Sequence, residues 1–195
     1  DESSGNAADS TANANTMLNQ NTATYVAGKI NNATDLNGTT QYFKTGTSPT
    51  NLNITVDISV SCWVKQDLEI TADQVKRLHN KWGTAGSFGS WYEYDGGVTR
   101  KLAFQFSNAA GTTRKVGPAT LGTDWNFIVC TCASATNNIL IYLNGSVLSM
   151  TEQIATATGI RSATVANQIG VVETSDGGDP IQHWPGLIDE AGIWD

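Results

Sequence analysis

Hydrophobic and polar residues alternate along several short stretches of this chain with the two-residue period of a β-strand. In residues 56–65 one face is apolar, and its members are Val56, Ile58, Val60, Cys62 and Val64. Residues 101–106 follow the same rule, with Leu102, Phe104 and Phe106 on the inward side. Because successive strand side chains point to opposite faces, each stretch predicts a strand with one buried face. A helical piece is a candidate only at residues 71–79, which are short enough to extend a strand instead.

Two other stretches, residues 125–132 and 138–143, are apolar on both faces, as central strands covered on both sides are. Asn37-Gly38 and Asn144-Gly145 are tight-turn signals. Strand follows strand at intervals of about ten residues, which is typical of antiparallel sandwiches. The pattern predicts an all-β fold, a two-sheet antiparallel β-sandwich.

The last predicted strand, Gly186 to Trp194, carries two adjacent acids. Strict alternation puts Leu187 and Asp189 on one face and Glu190 and Trp194 on the other. A carboxylate on each face of one strand is unusual enough to suggest a functional or structural task for at least one of them.

The length and the charge narrow the class of protein. A chain of 195 residues fits a single domain over residues 1–195, and we expect this domain to come from a longer protein. The formal net charge of -7 would repel a nucleic-acid backbone, so we expect no nucleic-acid partner. Membrane insertion is not expected, because no apolar run approaches the roughly 20 residues that span a bilayer.

The three cysteines, Cys62, Cys130 and Cys132, all lie in strand-like apolar runs. An odd number argues against a disulfide framework, and Cys130 and Cys132 would lie on one face of the same strand. We therefore interpret them as buried core thiols rather than as metal ligands or a redox pair.

Five segments, in order, resemble the laminin-G-like jelly-roll domains of the concanavalin A-like lectin/glucanase superfamily. They correspond to the family's "FDG…Y", "ISAWVK", "GxWHHV", "LYVDG" and "GLIDEVRIW" motifs and are residues 35–43, 58–65, 122–129, 141–145 and 186–194. The resemblance implies the concanavalin A-like jelly roll and an extracellular, cell-surface or virion-associated location.

The resemblance also implies a structural calcium ion that ties the N-terminal segment to the closing strand. Carried over to this sequence, the ligands would be Asp1, Gly38 and Asp189, although Asn37 stands where the family has an Asp before that glycine. A hard cation accepts such oxygen ligands. The alternative is that Asp189 caps backbone donors or pairs with a Lys or Arg.

Aromatic and polar residues in or beside predicted loops are candidates for binding a glycan, since sugars stack on aromatic faces. The candidates are Trp82, Trp91, Tyr94, His183 and Trp184. Each could instead be packed under a loop. Trp63 shares a face with small polar residues and lies either on an open sheet surface or beneath a covering loop.

A catalytic site is not expected. Retaining glycosidases need two carboxyl groups about 5 to 5.5 Å apart, and only Glu93 and Asp95 come near that pattern, with Asp95 better explained by a turn. His79 and His183 lack neighbours at zinc-ligand spacing. Two hypotheses remain: a calcium-stabilised, non-catalytic module that binds a glycan or a surface protein, and a structural domain that decorates a cell-surface protein or virus particle without a ligand of its own.

Overall fold

The computed structural model describes residues 2–46, 49–71, 73–82, 87–94, 99–173 and 178–195, and these are mainly β-strand. The strands are β1 (Met17–Gln20), β2 (Thr24–Ala27), β3 (Asn32–Asn37), β4 (Tyr42–Thr45), β5 (Ile58–Gln66), β6 (Gln74–Lys81), β7 (Phe88–Tyr94), β8 (Arg100–Asn108), β9 (Gly111–Pro118), β10 (Asn126–Ala133), β11 (Asn138–Leu143), β12 (Ser146–Val147), β13 (Thr151–Ala155), β14 (Gln168–Ile169), β15 (Val172–Glu173), β16 (Pro180–Ile181) and β17 (Pro185–Trp194). Two 3-10 turns, Thr50–Leu52 and Ser134–Thr136, are the helical elements of these ranges. The all-β prediction is confirmed, and the stretch considered for a helix forms β6.

Within the described residues, the strands form two large antiparallel sheets and a small ribbon. The eight-stranded sheet has the order β1-β4-β14-β6-β7-β8-β9-β13, and the seven-stranded sheet has the order β12-β11-β10-β5-β17-β3-β2. β15 and β16 pair with each other. No helix in the described ranges has the length and apolar character needed to span a membrane. Because β17 inserts between β5 and β3, both ends of the chain contribute to one sheet, which is the jelly-roll arrangement that the resemblance implied.

The core lies between the two large sheets. Buried side chains of the eight-stranded sheet and of the seven-stranded sheet form one cluster, which includes Phe43, Leu78, Phe88, Tyr92, Phe104, Val60, Ile128, Ile139, Ile141 and Ile188. Fully burying one such side chain contributes about 1.5–3 kcal/mol. All three cysteines are free and buried in this core, which confirms their interpretation as core thiols.

The closing strand contains a β-bulge that changes which residues share a face. Asp189 pairs with Trp63, but the next ladder pair joins Gly192 to Ser61, so two residues of β17 oppose one residue of β5. Glu190 lies in the bulge with a φ of 47°. The prediction of strict alternation through this strand is therefore wrong beyond Asp189. Asp189 and Gly192 both lie on the face directed away from the core.

Candidate functional site

A row of polar side chains crosses the outer face of the eight-stranded sheet, the face directed away from the core. Strand register aligns one residue from each of six neighbouring strands, in the order Lys44, Gln168, Asn80, Gly89, Gln105 and Arg114. Neighbouring strands lie about 4.8 Å apart, so the row is about 24 Å long. Gln168 Oε1 accepts hydrogen bonds from Asn80 Nδ2 at 2.8 Å and from the Glu173 backbone N–H at 3.2 Å, which fixes the buried part of the row.

Four residues on the same sheet face form a group that we call the arginine–tryptophan cluster: Arg77, Trp91, Glu93 and Arg114. The cluster shares Arg114 with the row. The guanidinium carbons of Arg77 and Arg114 lie 4.4 Å and 4.8 Å from the centre of the Trp91 ring, respectively. Trp91 Nε1 donates to Glu93 Oε2 at 2.6 Å, and Arg114 Nη2 lies 2.7 Å and 2.6 Å from Glu93 Oε1 and Oε2. Cation–π contacts and charge-assisted bonds therefore hold the cluster in one arrangement.

The sheet positions these residues through simple pairing. Arg77 on β6 is opposite Trp91 on β7, which is opposite Ala103 on β8, which is opposite Val116 on β9. Small apolar Ala103 and Val116 pack beside the indole and form a second, smaller hydrophobic cluster, separate from the main core. The small neighbours leave room for the two long arginine side chains to lie over the ring.

The electrostatics of the cluster are unbalanced. It holds two guanidinium groups and one carboxylate, and Arg77 Nε donates to an uncharged partner, Gln182 Oε1, at 2.7 Å. Burial and, to a smaller extent, the nearby charge of Arg114 lower the pKa of Arg77 to about 10, and the charge of Glu93 opposes this shift. Arg77 remains charged at neutral pH, but it lacks a carboxylate partner among the described residues.

Several buried polar atoms at the edge of the cluster have no hydrogen-bond partner within the part of the chain that the structure describes. They are Arg77 Nη1, Asn80 Oδ1 and Arg114 Nε. A Cβ placed on Gly89 would lie 2.9 Å from Asn80 Oδ1 and 3.7 Å from Arg77 Nη1, so the Asn80 side chain fills the space over Gly89 and a larger residue would not fit there without a shift. Buried polar atoms normally have partners, so these three atoms are exceptions within the described part of the chain.

The predicted aromatic residues do not form one site. Trp91 lies on the outer sheet face, but only 3% of it is exposed and both arginines lie over its ring, so the prediction that a sugar stacks on Trp91 is wrong. Tyr94 packs against the main core and carries the Arg100 guanidinium 4.8 Å from its ring centre. Trp82 is half-buried and follows the end of β6.

His183 and Trp184 are both buried. Trp184 has no exposed surface and belongs to the main core, so it does not present a ring face to a ligand and its assignment as a sugar contact is wrong. His183 packs edge-on against Tyr42, and its ring nitrogens lie 3.3 Å from the backbone oxygens of Gln41 and Pro180. These contacts explain His183 as a structural residue that fastens the start of the closing strand.

The residues carried over for calcium do not fit one ion. Asp189 Oδ2 accepts hydrogen bonds from the backbone N–H groups of Lys29 and Ile30, and Oδ1 accepts one from Glu190, each at 2.8 Å. Gly38 lies beside Pro185. Pro185 precedes Asp189 by four residues on the closing strand, so Gly38 is about 13 Å from Asp189. Two calcium ligands lie within about 5 Å of each other.

The ligand set that combines Gly38 with Asp189 is therefore wrong, whereas the alternative in which Asp189 caps backbone donors is confirmed. Asp1, the third residue of the set, lies outside the described residues. Among those described, no group of three or more His, Cys, Asp or Glu side chains is arranged for a metal ion. Calcium binding as such stays a prediction, without a ligand set.

The loop that Asp189 caps covers Trp63. Residues 28–31 join β2 to β3, and the Lys29 Nζ atom lies 4.8 Å from the centre of the Trp63 ring. Trp63 also contacts Phe127, with ring centres 4.9 Å apart. Of the two interpretations of Trp63, the covering loop is the one observed.

Glu93 is engaged as an ion-pair and hydrogen-bond acceptor. Its carboxylate meets Arg114 and the Trp91 N–H, and 5% of the residue is exposed. Asp95, the acid with which it could form a catalytic pair, lies outside the described residues. Both carboxylate oxygens of Glu93 are therefore engaged in contacts within the protein.

A cleft lies at the N-terminal edge of the sandwich. This cleft of about 510 Å³ is lined by Ser3, Ser4, Gly5, Asn6, Asn19, Thr22, Ala23, Thr24 and Tyr25. Its walls are held by the Tyr25 hydroxyl, which donates to the Gly5 carbonyl at 3.0 Å, and by Asn19 Nδ2, which donates to the same carbonyl at 3.0 Å. The lining carries no charged side chain, in contrast to the arginine–tryptophan cluster.

The fold and the polar sheet face define a lectin-like β-sandwich domain. The family model Laminin_G_3, described as the concanavalin A-like lectin/glucanases superfamily, matches residues 37–195, and the chain belongs to this family. No curated protein sequence matches the chain.

Solved structures with the same fold include a bacterial carbohydrate-binding module, a toxin binding domain and a bacteriophage tailspike domain. The CBM40 of the Ruminococcus gnavus IT-sialidase is 11% identical, with a TM-score of 0.56 over 82% of this chain and 86% of that one. The same module is also known bound to α2,3-sialyllactose. The binding domain of botulinum neurotoxin DC in complex with SialylT is 11% identical, with a TM-score of 0.53 over 98% of this chain and 42% of that one.

The enzymatically active domain of the bacteriophage CBA120 tailspike protein 2 has a TM-score of 0.60 at 10% identity, over 88% of this chain and 27% of that one. At these identities the likeness shows the shared fold.

The sequence analysis missed Arg77, Asn80, Gln105 and Arg114. The alternation of apolar and polar residues could have identified Gln105. Gln105 lies between the inward-facing residues Phe104 and Phe106, so its side chain must face outward. The pairing of β8 with β9 then places Arg114 beside it. The position of Arg77 could not be found this way, because the register of β6 against β7 shifts between Arg77 and Asn80.

Proposed function

We propose that this chain is a non-catalytic carbohydrate-binding module whose ligand lies on the outer face of the eight-stranded sheet. The observation that carries the proposal is the polar row from Lys44 to Arg114, which ends at the arginine–tryptophan cluster. Amide and guanidinium groups in fixed positions match the hydroxyl-rich surface of a glycan. The ligand reaches the half-buried members of the row, chiefly Gln105 and Arg114.

Recognition at this site depends on hydrogen bonds and charge, because the aromatic residue of the cluster is covered. Glycan complexes of the Ruminococcus gnavus CBM40 and of the botulinum neurotoxin DC binding domain support the proposal, since they use the same fold. We further propose an extracellular or virion-surface setting, in which a glycan-binding module would meet its ligand.

Glycan-array screening followed by titration calorimetry tests the proposal. Gln105→Ala removes one half-buried amide next to Arg114 in the row, and one lost hydrogen bond should weaken binding about tenfold. Thr131→Ala, a half-buried polar substitution on a strand of the other sheet, is the matched control and should leave affinity unchanged.

A third variant, Thr24→Arg, fills the N-terminal cleft with a bulky charged side chain. Binding that survives Gln105→Ala but is lost in Thr24→Arg would move the site to the cleft. An array without any bound glycan would refute the proposal and favour a structural domain that decorates a larger assembly.

A further inference from the structure

The N-terminal cleft lies at the side of the sandwich where the edge strands of the two large sheets meet. β1 is the edge strand of the eight-stranded sheet, β2 is the edge strand of the seven-stranded sheet, and both supply lining residues. Residues 3–6 and the turn between β1 and β2 supply the rest of the lining. The cleft is therefore enclosed between the N-terminal segment and a strand–turn–strand unit.

Asn19 on β1 fixes the walls of this cleft. Its Nδ2 donates to the Gly5 carbonyl at 3.0 Å and to the Ala23 carbonyl at 2.7 Å, and its Oδ1 accepts the Ala23 N–H at 2.8 Å. The backbone N–H of Asn19 donates to Asn6 Oδ1 at 3.0 Å. One residue thus ties the N-terminal segment to the turn, so the cleft is formed before a ligand arrives and binding costs little ordering.

Tyr25 supplies the aromatic part of the lining. Its hydroxyl donates to the Gly5 carbonyl at 3.0 Å, and its ring packs edge-on against Phe43 with the ring centres 6.1 Å apart. Burial and, to a smaller extent, the charge of Glu2 raise the pKa of Tyr25 to about 12, so the hydroxyl stays protonated and remains a donor. The half-buried ring is held in one position at the wall of the cleft.

A ligand can reach this cleft from solvent. Ser3, Ser4, Asn6 and Thr24 are exposed, and all four belong to the lining. The volume of about 510 Å³ lies within the range of roughly 300–1,000 Å³ that is usual for small-molecule sites. The accessible side chains offer hydroxyl and amide groups, each of which can both donate and accept hydrogen bonds.

We propose that this cleft is a second saccharide site, which binds an uncharged sugar through its hydroxyl and amide groups. The inference goes beyond the proposed function, because it uses none of the residues of the polar row on the eight-stranded sheet. Sugar hydroxyls also donate and accept, so they match this lining. A neutral ligand is favoured, because the lining has no charged side chain to compensate an ionic group that leaves water.

The test is a titration of the isotope-labelled protein with three neutral disaccharides, lactose, cellobiose and maltose, followed through the backbone amide signals in NMR spectra. At least one of these sugars should shift the signals of Gly5, Asn19 and Ala23, which line the cleft. Signals that shift only around Gln105 and Arg114 would overturn this inference and leave the proposed function standing. Signals that shift only at the cleft would support it and overturn the placement of the ligand on the sheet face.

The protein-side variant is Thr24→Arg, which puts a long charged side chain at the cleft and should weaken sugar binding by at least about tenfold. Thr151→Arg is the matched control and should leave the affinity unchanged. Thr151 is likewise an exposed threonine on an edge strand, but β13 lies at the opposite edge of the eight-stranded sheet from β1.

Ser4→Arg narrows the cleft from the opposite wall. Ser4 lies outside the strands, so this variant should weaken binding equally and serves if Thr24→Arg fails to fold. Sugar binding that both arginine variants leave unchanged would overturn the inference. Neutral disaccharides that shift no signal at the cleft would also overturn it, whichever glycan binds to the sheet face.

Discussion

The carboxylate of Asp189 holds the loop of residues 28–31 against the outer face of the seven-stranded sheet. It accepts three backbone hydrogen bonds, two of them from the loop, and a side chain on Gly28 would collide with it at 2.6 Å. Asp189→Ala removes both acceptor oxygens and with them all three hydrogen bonds. The loop then loses its anchor, and Lys29 loses its fixed position over Trp63.

The expected loss of stability follows from these contacts. A hydrogen bond to a charged acceptor contributes about 1.5–3 kcal/mol when the remaining partner stays buried. Lys29, Ile30 and Glu190 are exposed, so water recovers part of the loss, and about 1 kcal/mol per bond is the better estimate. With about 0.5–1 kcal/mol for the exposed cation–π contact, Asp189→Ala should cost about 3–4 kcal/mol. For a chain of this size, that lowers the unfolding midpoint by about 8–12 °C.

The assay is equilibrium denaturation and thermal unfolding of wild type and variant, each with excess calcium and with a chelator. Asp35→Ala is the control: Asp35 lies on the same sheet, and burial and the charge of Asp67 raise the pKa of its carboxyl, so its removal should cost little. The Asp189→Ala loss should be the same in calcium and in chelator. A loss present only in calcium would refute this reasoning, because Asp189 would then act as a metal ligand. A loss below about 1 kcal/mol would refute the capping role as well.

Three other buried groups, His79, Cys62 and Cys130, give predictions that need no ligand. Burial lowers the pKa of His79 to about 4, so below the ordinary pKa of 6.5 the unfolded chain takes up a proton that the folded chain does not. The free energy of unfolding should therefore fall by about 1.4 kcal/mol per pH unit from pH 6.5 towards pH 4. Denaturation of His79→Gln measured across this pH range should lack this part of the slope. A slope that stays unchanged in the variant would contradict the prediction. Burial raises the pKa of the Cys62 thiol to about 12, and burial also raises the pKa of the Cys130 thiol. Thiol reagents should therefore leave both cysteines unmodified in the native protein and should modify both in denaturant. Rapid modification of the native protein would show that the core opens at these strands.

The fold could be predicted because alternation and turn chemistry act locally. Phe104 faces the core and Gln105 faces outward because adjacent strand residues point to opposite faces, and the apolar and polar character of these two residues shows which face is which. The closing strand shows the limit of this reasoning. Its bulge between Asp189 and Gly192 depends on the register with β5, and neither residue reveals that register on its own.

The site was harder to predict because it is assembled from strands far apart in the chain. Trp91 and Arg114 meet only through the register of β7, β8 and β9, and Arg77 joins them from the other side across a shifted register. The expectation that tryptophans would offer open rings also failed for a physical reason. Trp184 is a large apolar side chain in a small two-layer core, and its burial stabilises the fold more than exposure to a ligand would.

The covering of Trp91 changes what kind of recognition this sheet face can perform. An open indole would stack on a sugar ring and would accept many neutral sugars with modest discrimination. Here guanidinium groups lie over the ring, so Trp91 orients the two arginines. Replacing Trp91 should then disturb the direction of Arg77 and Arg114 rather than remove a stacking surface, and glycan binding that depends on Arg114 should weaken, which titration calorimetry would measure.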